Sequence, residues 1–259
     1  MIEKIIEDKR MRILLVAISF WIVSSVFSFA QEFQGTSEPF AVVELFASEG
    51  CSSCPPADEL LSEITAAARS QNKRIYTLSF QVDYWNNLGW IDPFSSLQFT
   101  QRQQQYSGFL PGGVYTPEMI INGREAFVGS DAGKAKDYID HYLGVSAGND
   151  ISLSLHQSGN DLKVDYNVAR QESNSVINFA LVERGLQSQV TAGENRGRTL
   201  NHDNVVREFK TININNIKGT VILSRPQGRD LTRYSIIAYV QSKDNMSITT
   251  AKSVDLKNL

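Results

Sequence analysis

The chain has 259 residues, a formal net charge of −3 and 42% apolar residues. This composition is that of a folded protein, and the balance of 25 basic against 28 acidic residues argues against a nucleic-acid-binding face. Two cysteines exclude a disulfide-rich scaffold and a four-cysteine zinc site built from this chain alone. The length suits one large domain or two ordinary ones.

The N-terminal segment 1–30 has the pattern of a secretory signal peptide. Basic residues within 9–12 precede an apolar run over 13–29, and small residues fit cleavage after Ala30. The run is short for a stable membrane span, although an uncleaved anchor and a start at Met11 are alternatives. We therefore expect a periplasmic or secreted protein with no stable membrane span after signal cleavage, in a compartment where disulfides persist.

The segment 31–146 alternates between apolar runs and helical spacing, in the order β-α-β-α-β-β-α. Asp92 and Pro93 have the residue types of a helix cap and first helical position, and Asn122-Gly123 is a strong hairpin signal. The predicted elements are strands over 41–46, 75–82, 118–121 and 125–128 and helices over 56–70, 93–106 and 131–143.

The segment 147–259 changes to alternation of apolar and polar residues, which predicts an all-β, sandwich-like domain. Residues 144–150 are a candidate linker between this domain and the preceding one. The predicted strands cover 151–155, 162–168, 176–182, 205–209, 220–223, 234–240 and 247–254.

The candidate chemistry lies at Cys51 and Cys54, between a predicted strand and a predicted helix. Residues i and i+3 in a first helical turn share one face, so the two sulfurs can bond. The free amides and the helix dipole favour a thiolate there. We predict Cys51 as the more exposed nucleophile, with a lowered pKa, and Cys54 as the resolving thiol.

Glu44 is an acid within the apolar run that precedes this motif. If its side chain points inward, it is a candidate acceptor for the Cys54 proton during exchange. If it points outward, it is an ordinary strand-end acid. A permanent structural disulfide is the alternative for the cysteines, although so small a loop gives little stabilisation.

Two further segments are candidates for the same site. The Thr116-Pro117 bond precedes a predicted strand, and in a thioredoxin-like fold a cis proline at this point sits beside the disulfide. From the β-α-β-α-β-β-α order we predict a cis bond here, with Pro117 as part of the catalytic site and Thr116 as a substrate contact. The alternative is a trans proline that only opens the strand. The aromatic residues Tyr84, Trp85 and Trp90 follow the second strand and are either a wall beside the cysteines or packing within a long loop.

The assembled motifs are similar to those of a secreted bacterial family known as domain of unknown function 1223. This resemblance implies a thioredoxin-like fold and a site at the cysteines, but no established reaction. Within the wider thioredoxin-like class, the Ser52-Ser53 dipeptide and the glycine before Cys51 depart from the usual pattern. The motifs are Val43–Phe46 with Ser48–Asp58, Val82–Trp85 with Leu88–Trp90 and Asp92–Phe94, Tyr115–Met119 with Asn122-Gly123, and Gly193–Leu200 with His202 and Asn204–Arg207.

Three functions remain open from the sequence. The first is a thiol–disulfide oxidoreductase that needs no organic cofactor and acts on protein thiols or disulfides with a redox partner protein. The second is a copper(I) carrier that uses the two thiolates with His202 or Met119. The third is a non-catalytic binding module with a structural disulfide.

Basic residues of the fourth motif add one more alternative. Arg196, Arg198 and Arg207 are either receptors for an anion or acidic peptide or solvated arginines of a long polar connection.

Overall fold

A computed structural model describes residues 37–259, so the predicted signal peptide lies outside the described residues. Within this range three α-helices combine with three β-sheets. The helices are α1 (Pro55–Ser70), α2 (Leu97–Ser107) and α3 (Ala132–Leu143). The strands are β1 (Ala41–Ala47), β2 (Ile75–Gln81), β3 (Glu118–Ile121), β4 (Glu125–Val128), β5 (Ile151–Ser158), β6 (Asp161–Val168), β7 (Ser175–Glu183), β8 (Leu186–Gln189), β9 (Thr199–His202), β10 (Val205–Asn213), β11 (Lys218–Ser224), β12 (Tyr234–Ser242) and β13 (Ile248–Asp255). None of the helices between residues 37 and 259 is long and apolar enough to cross a membrane.

The largest sheet has eight strands in the order β13-β12-β7-β10-β2-β1-β3-β4. β1 runs parallel to β2 and antiparallel to β3, and β4 forms a hairpin with β3. The β-α-β-α-β-β-α order predicted for the first segment is present in these elements. The protein is therefore a mixed α/β structure with a large mixed sheet.

The same sheet continues into strands of the second segment, whereas the sequence led us to expect a separate sandwich. The junction is the parallel pairing of Val205 with Ser79, and Ser79 N donates to Asn204 O at 2.9 Å. Asn204 Nδ2 also donates to Thr77 Oγ1 at 2.8 Å. These contacts pair the edge of β2, which an isolated first segment leaves open.

A sandwich-like layer is nevertheless present in the second segment. The three-stranded sheet β11-β6-β5 packs its apolar face against β7 and β12 of the large sheet. Leu162 and Val164 of β6 share a buried core with Phe179 of β7 and Ile236 of β12. The alternation seen in the sequence thus marks strands that bury one face against a second sheet.

Strand β1 is buried on both faces, and its alternation decides which side chains reach the disulfide. Val43 and Leu45 point into a core formed with α1 and α3, which also contains both cysteines. Val42 and Phe46 point into a different core, which contains Tyr106 of α2. The side chains of neighbouring β1 residues therefore point to opposite faces of the sheet.

The structure differs from the prediction in two details. Helix α2 begins at Leu97, with Ser96 as its cap, and not at Pro93. Asp92 instead is buried and accepts hydrogen bonds from the amides of Glu49 and Phe94, each at 2.8 Å. The hairpin β8–β9 was not predicted, because its strands have only four residues each and are largely polar.

The turn between β3 and β4 touches the far end of the chain. Asn122 and Gly123 have φ angles of 48° and 68°, which is the left-handed region that this hairpin turn requires. A Cβ at Gly123 would lie 1.9 Å from Met246 O. Only glycine allows this approach between the predicted hairpin and the loop before β13.

Candidate functional site

The centre of the candidate site is a disulfide between Cys51 and Cys54, with a Cα–Cα distance of 5.4 Å. Cys54 stands at the cap position of α1, and prolines occupy the first helical positions. Both cysteines have 0% exposure, whereas Ser52 and Ser53 between them are exposed. The structure thus pairs the sulfurs as predicted, but the prediction of an exposed Cys51 is wrong.

The burial of Cys51 is due in part to a segment that follows β8. We call residues 193–198 the cap segment. Its buried Asn195 side chain donates two hydrogen bonds, to Glu49 O at 2.8 Å and to Cys51 O at 2.9 Å. Glu194 Oε2 accepts a third from Ser52 N at 3.1 Å. The cap segment therefore satisfies the polar backbone of the disulfide turn and covers it.

A tryptophan links the cysteine motif to the Thr116-Pro117 bond. A Cβ at Gly50 would lie 3.1 Å from Trp85 Cβ, so the base of the Trp85 side chain packs against Gly50, the residue before Cys51. Trp85 Nε1 donates to Thr116 Oγ1 at 2.8 Å. Trp85 thus contacts both Gly50, the residue before Cys51, and Thr116, the residue before Pro117.

The Thr116-Pro117 bond is cis, which confirms that prediction. Pro117 is buried beside the first turn of α1: a Cβ at Gly129 would lie 3.1 Å from Pro117 Cβ and 3.2 Å from Ala57 Cβ. The proline, the tryptophan and the disulfide turn therefore form one neighbourhood at the amino end of α1.

The other two aromatic candidates make different contacts. Tyr84 Oη donates to Gln103 Oε1 of α2 at 3.3 Å, and burial raises the pKa of Tyr84 to about 12. Trp90 packs on Gly193 of the cap segment and donates to Glu49 Oε2 at 2.8 Å. Of the three aromatics, Trp85 alone touches both the cysteine motif and Thr116. Trp90 instead contacts the cap segment.

A buried charge cluster lies directly under the disulfide turn. His202 of β9 has its Nε2 atom 3.2 Å from Glu49 Oε1 and its Nδ1 atom 3.3 Å from Asp58 Oδ1, the latter as an ion pair and not an aligned hydrogen bond. Glu49 precedes Cys51 by two residues and Asp58 follows Cys54 by four. The cluster therefore ties both ends of the motif to β9.

The proton affinities in this cluster favour an imidazolium. Burial alone lowers the pKa of His202, but the two carboxylates outweigh burial and raise it to about 10. Burial raises the pKa of Glu49, but hydrogen bonds from His202, Ser188 and Trp90, together with the charge of His202, outweigh that effect and lower it. Burial raises the pKa of the neighbouring Asp92 to about 6. His202 is thus a buried cation between carboxylates at neutral pH.

Glu44 is buried, but it does not reach the cysteines, which corrects its predicted role. Its carboxylate accepts from Arg102 Nη2 at 2.7 Å, from Tyr239 Oη at 2.8 Å and from Tyr106 Oη. These partners lie on the sheet face opposite Cys54, because Glu44 and Leu45 alternate along β1. Glu44 therefore has no path to the Cys54 proton.

The remaining sequence candidates are dispersed. Arg196 and Arg198 are exposed on the cap segment, whereas Arg207 stacks over the Phe94 ring at 5.0 Å. Met119 is packed in the core that contains the cysteines, and His202 is already held by carboxylates. Between residues 37 and 259 no group of three or more His, Cys, Asp or Glu side chains is arranged to hold a metal ion.

Comparison with known proteins gives a family without an assigned reaction. Residues 42–241 match the family described as protein of unknown function (DUF1223). No functionally curated protein matches the sequence. The chain is similar to a crystal structure of a protein from Agrobacterium tumefaciens, with 26% identity and a TM-score of 0.63, over 86% of this chain and 97% of that one.

A second structural match is much more distant. It is a domain of the outer membrane lipoprotein Omp28 from Porphyromonas gingivalis, with 14% identity and a TM-score of 0.26, over 42% of this chain and 88% of that one.

Proposed function

The chain belongs to the DUF1223 family, and we propose that it is a periplasmic or secreted thiol–disulfide oxidoreductase that acts on protein thiols. The observation that carries the proposal is the Cys51–Cys54 disulfide at the start of α1, beside the cis Thr116-Pro117 bond. A four-residue bridge adds little stability, so its position at a helix start favours a role in exchange.

We further propose that residues 37–143 form a thioredoxin-like unit. The arrangement β2-β1-β3-β4, with β1 parallel to β2 and antiparallel to β3, supports this assignment. Helix α1 follows β1 and carries Cys54 at its cap. The Cys51–Cys54 disulfide in turn supports an oxidising compartment.

In the oxidised state of this protein, exchange begins with attack of a partner thiolate on Cys51 Sγ. The partner–Cys51 disulfide forms, the Cys51–Cys54 bond breaks, and Cys54 leaves as a thiolate that takes up a proton. A second partner thiolate then attacks the partner sulfur and releases Cys51 as a thiolate. The partner dithiol is oxidised to a disulfide and this protein is reduced to a dithiol.

Two local features suit Cys51 as the attacked sulfur. Ser53 Oγ lies 3.3 Å from Cys51 Sγ, where it is able to donate a hydrogen bond to the released thiolate. The backbone between the cysteines is exposed at Ser52 and Ser53. Because Cys51 itself is buried, a partner reaches its sulfur only after a local rearrangement, and we propose that the cap segment moves, since Glu194 and Asn195 bond to the backbone of the turn.

The proposal is tested with Cys54→Ser and oxidised glutathione. The variant leaves Cys51 as a free thiol, and we expect a Cys51–glutathione adduct that is detected by mass spectrometry and removed by dithiothreitol. The Cys51→Ser, Cys54→Ser double variant is the control and forms no adduct. Absence of the adduct from a Cys54→Ser variant that retains the wild-type circular dichroism spectrum contradicts the proposal.

One observation favours a second candidate, a binding module with a structural disulfide. Both cysteines have 0% exposure, and Asn195 fastens the turn that carries them. A structural bridge predicts that reduction lowers the melting temperature while the oxidised protein catalyses no thiol oxidation in a reduced substrate. Catalytic oxidation of such a substrate excludes this candidate.

A further inference from the structure

A groove of about 480 Å³ opens on the sheet face opposite the disulfide. It lies between α2 and the strands β7, β10 and β12, and this volume is within the range of small-molecule sites. Its described lining contains two cationic residues, Arg102 and Lys243, and no acidic one. Side-chain amides and two phenylalanines provide most of the remaining wall.

The floor of this groove has a buried guanidinium, one nitrogen of which has no partner among residues 37–259. Arg102 is 5% exposed, and its Nε and Nη2 atoms donate to Glu44 Oε1 at 2.9 and 2.7 Å. Nη2 also donates to Tyr106 Oη at 2.9 Å and to Gln241 Oε1 at 3.2 Å. The Nη1 atom donates to no group between residues 37 and 259, and it is not among the fully enclosed atoms. It therefore faces the groove.

The guanidinium is fixed before any ligand arrives. Its central carbon lies 4.9 Å from the ring centre of Phe209 and 5.1 Å from that of Tyr106. Beside it, Thr211 Oγ1 donates to Asn178 Oδ1, and Asn178 Nδ2 donates to Gln241 Oε1, at 2.7 and 2.9 Å. A donor held by such a network loses little conformational freedom on binding.

The charged residues that line the groove carry a net positive charge, which favours an anionic ligand. Glu44 compensates Arg102 as an ion pair, which leaves Lys243 at the rim as the uncompensated charge of the described lining. Its Nζ atom is 3.3 Å from the neutral amide oxygen of Asn213. The side chains of Gln101 and Gln105 on α2 make no hydrogen bond to described residues and face solvent.

We propose that this groove binds a small carboxylate-bearing molecule, with a carboxylate oxygen on Arg102 Nη1 and Lys243 as the second cation. Arginine recognises carboxylates through directed N–H donors. The free amides of Gln101 and Gln105 are placed to pair with hydroxyl or carbonyl groups of the same molecule. This site is separate from the cysteines and does not depend on the exchange activity.

The test uses acids and their neutral counterparts as probes of the full chain. Glutarate and galacturonate are compared with glutaramide and galactose by isothermal titration calorimetry. We expect at least one acid to bind about tenfold more tightly than its neutral counterpart, as one charged hydrogen bond implies. Equal affinity of acid and neutral probe, or no binding of either acid at millimolar concentration, overturns the proposal.

Variants locate the binding. Lys243→Gln is expected to weaken binding of the acid about tenfold, whereas Lys252→Gln, the same charge change at an exposed position of β13, leaves it unchanged. Equal effects of the two variants assign the binding to net charge and contradict the site. The Cys51→Ser, Cys54→Ser variant should bind the acid normally, which separates this result from any failure of the redox proposal.

Discussion

The side-chain amide of Asn195 donates a 2.9 Å hydrogen bond to the backbone carbonyl of Cys51, across 144 residues of sequence. The same Nδ2 atom also binds Glu49 O, so one side chain fastens both the entry and the first cysteine of the disulfide turn. Because Asn195 itself is buried, these bonds form without competition from water. The second segment thereby holds the backbone of the disulfide turn in the first segment.

Removal of this amide should open the disulfide to small reductants. Asn195→Ala removes the two hydrogen bonds that hold the turn, worth about 1 kcal/mol each, so we expect the Cys51–Cys54 bond to be reduced about 30-fold faster. The rate is measured with a phosphine reductant under native conditions. Arg196→Ala, an exposed neighbour in the cap segment, is the control and should react at the wild-type rate. Equal rates for all three proteins contradict the proposed cover.

His202 should make stability decline in alkaline solution. Its folded pKa of about 10 is above its unfolded value of about 6.5. Its stabilisation is therefore complete below pH 6.5 and is lost as the pH rises to 10, at about 1.4 kcal/mol for each unit. His202→Gln removes this dependence, so the two curves of unfolding free energy against pH should converge on the alkaline side.

Urea unfolding at pH 6, 8 and 10 measures those curves. At pH 6 His202→Gln also leaves two buried carboxylates without their cation, and we expect a loss of about 3–5 kcal/mol. The exposed His156 gives the matched control, His156→Gln, with the wild-type slope. A constant difference between wild type and His202→Gln from pH 6 to pH 10 is incompatible with a buried imidazolium.

Glu44→Gln should damage stability and leave redox chemistry intact. The substitution leaves the buried Arg102 guanidinium without its carboxylate, which costs about 3–5 kcal/mol. The exposed carboxylate of Glu38, paired with the half-buried Arg74, supplies the control, because Glu38→Gln should cost less than about 1 kcal/mol. Both are measured by denaturant unfolding. A shift in the Cys51–Cys54 reduction potential of Glu44→Gln restores a role for Glu44 in exchange and contradicts its placement.

Gly123→Ala tests the contact between the β3–β4 turn and the loop before β13. The alanine Cβ meets Met246 O at 1.9 Å and also adopts a positive φ. Gly113 has a similar φ of 72°, but a Cβ there meets nothing within 4 Å. Gly113→Ala should therefore lower the free energy of unfolding only by the cost of a left-handed alanine, about 1–2 kcal/mol. Thermal unfolding should show a clearly larger loss for Gly123→Ala. Equal losses mean that the turn does not contact the loop.

Much of the fold around the cysteines was predictable, because its signals are local. The apolar run of β1, the helical spacing of α1 and the Asn122-Gly123 turn each lie within a few residues. The cis bond before Pro117 followed from the order of these elements together with the cysteine motif. These predictions did not require knowing which distant residues contact each element.

The failures all involve partners distant in sequence. Period-two alternation shows that β10 is a strand but not that it pairs with β2. An acid inside an apolar run left both an inward and an outward orientation open, and only the three-dimensional position of Arg102 decides which sheet face receives Glu44. Asn195 and His202 lie in a polar segment whose hydrogen bonds to the cysteine turn have no local signature. Asp92 has the residue type of a helix cap, yet its carboxylate accepts a hydrogen bond from the backbone amide of Glu49.

The reduction potential of the Cys51–Cys54 pair tests the proposed redox function most directly. The purified chain is equilibrated with glutathione buffers of graded ratio, and its thiols are counted after alkylation. We predict a reversible couple between about −120 and −270 mV, the range of exchange catalysts. A potential below about −300 mV identifies a structural bridge and contradicts the account.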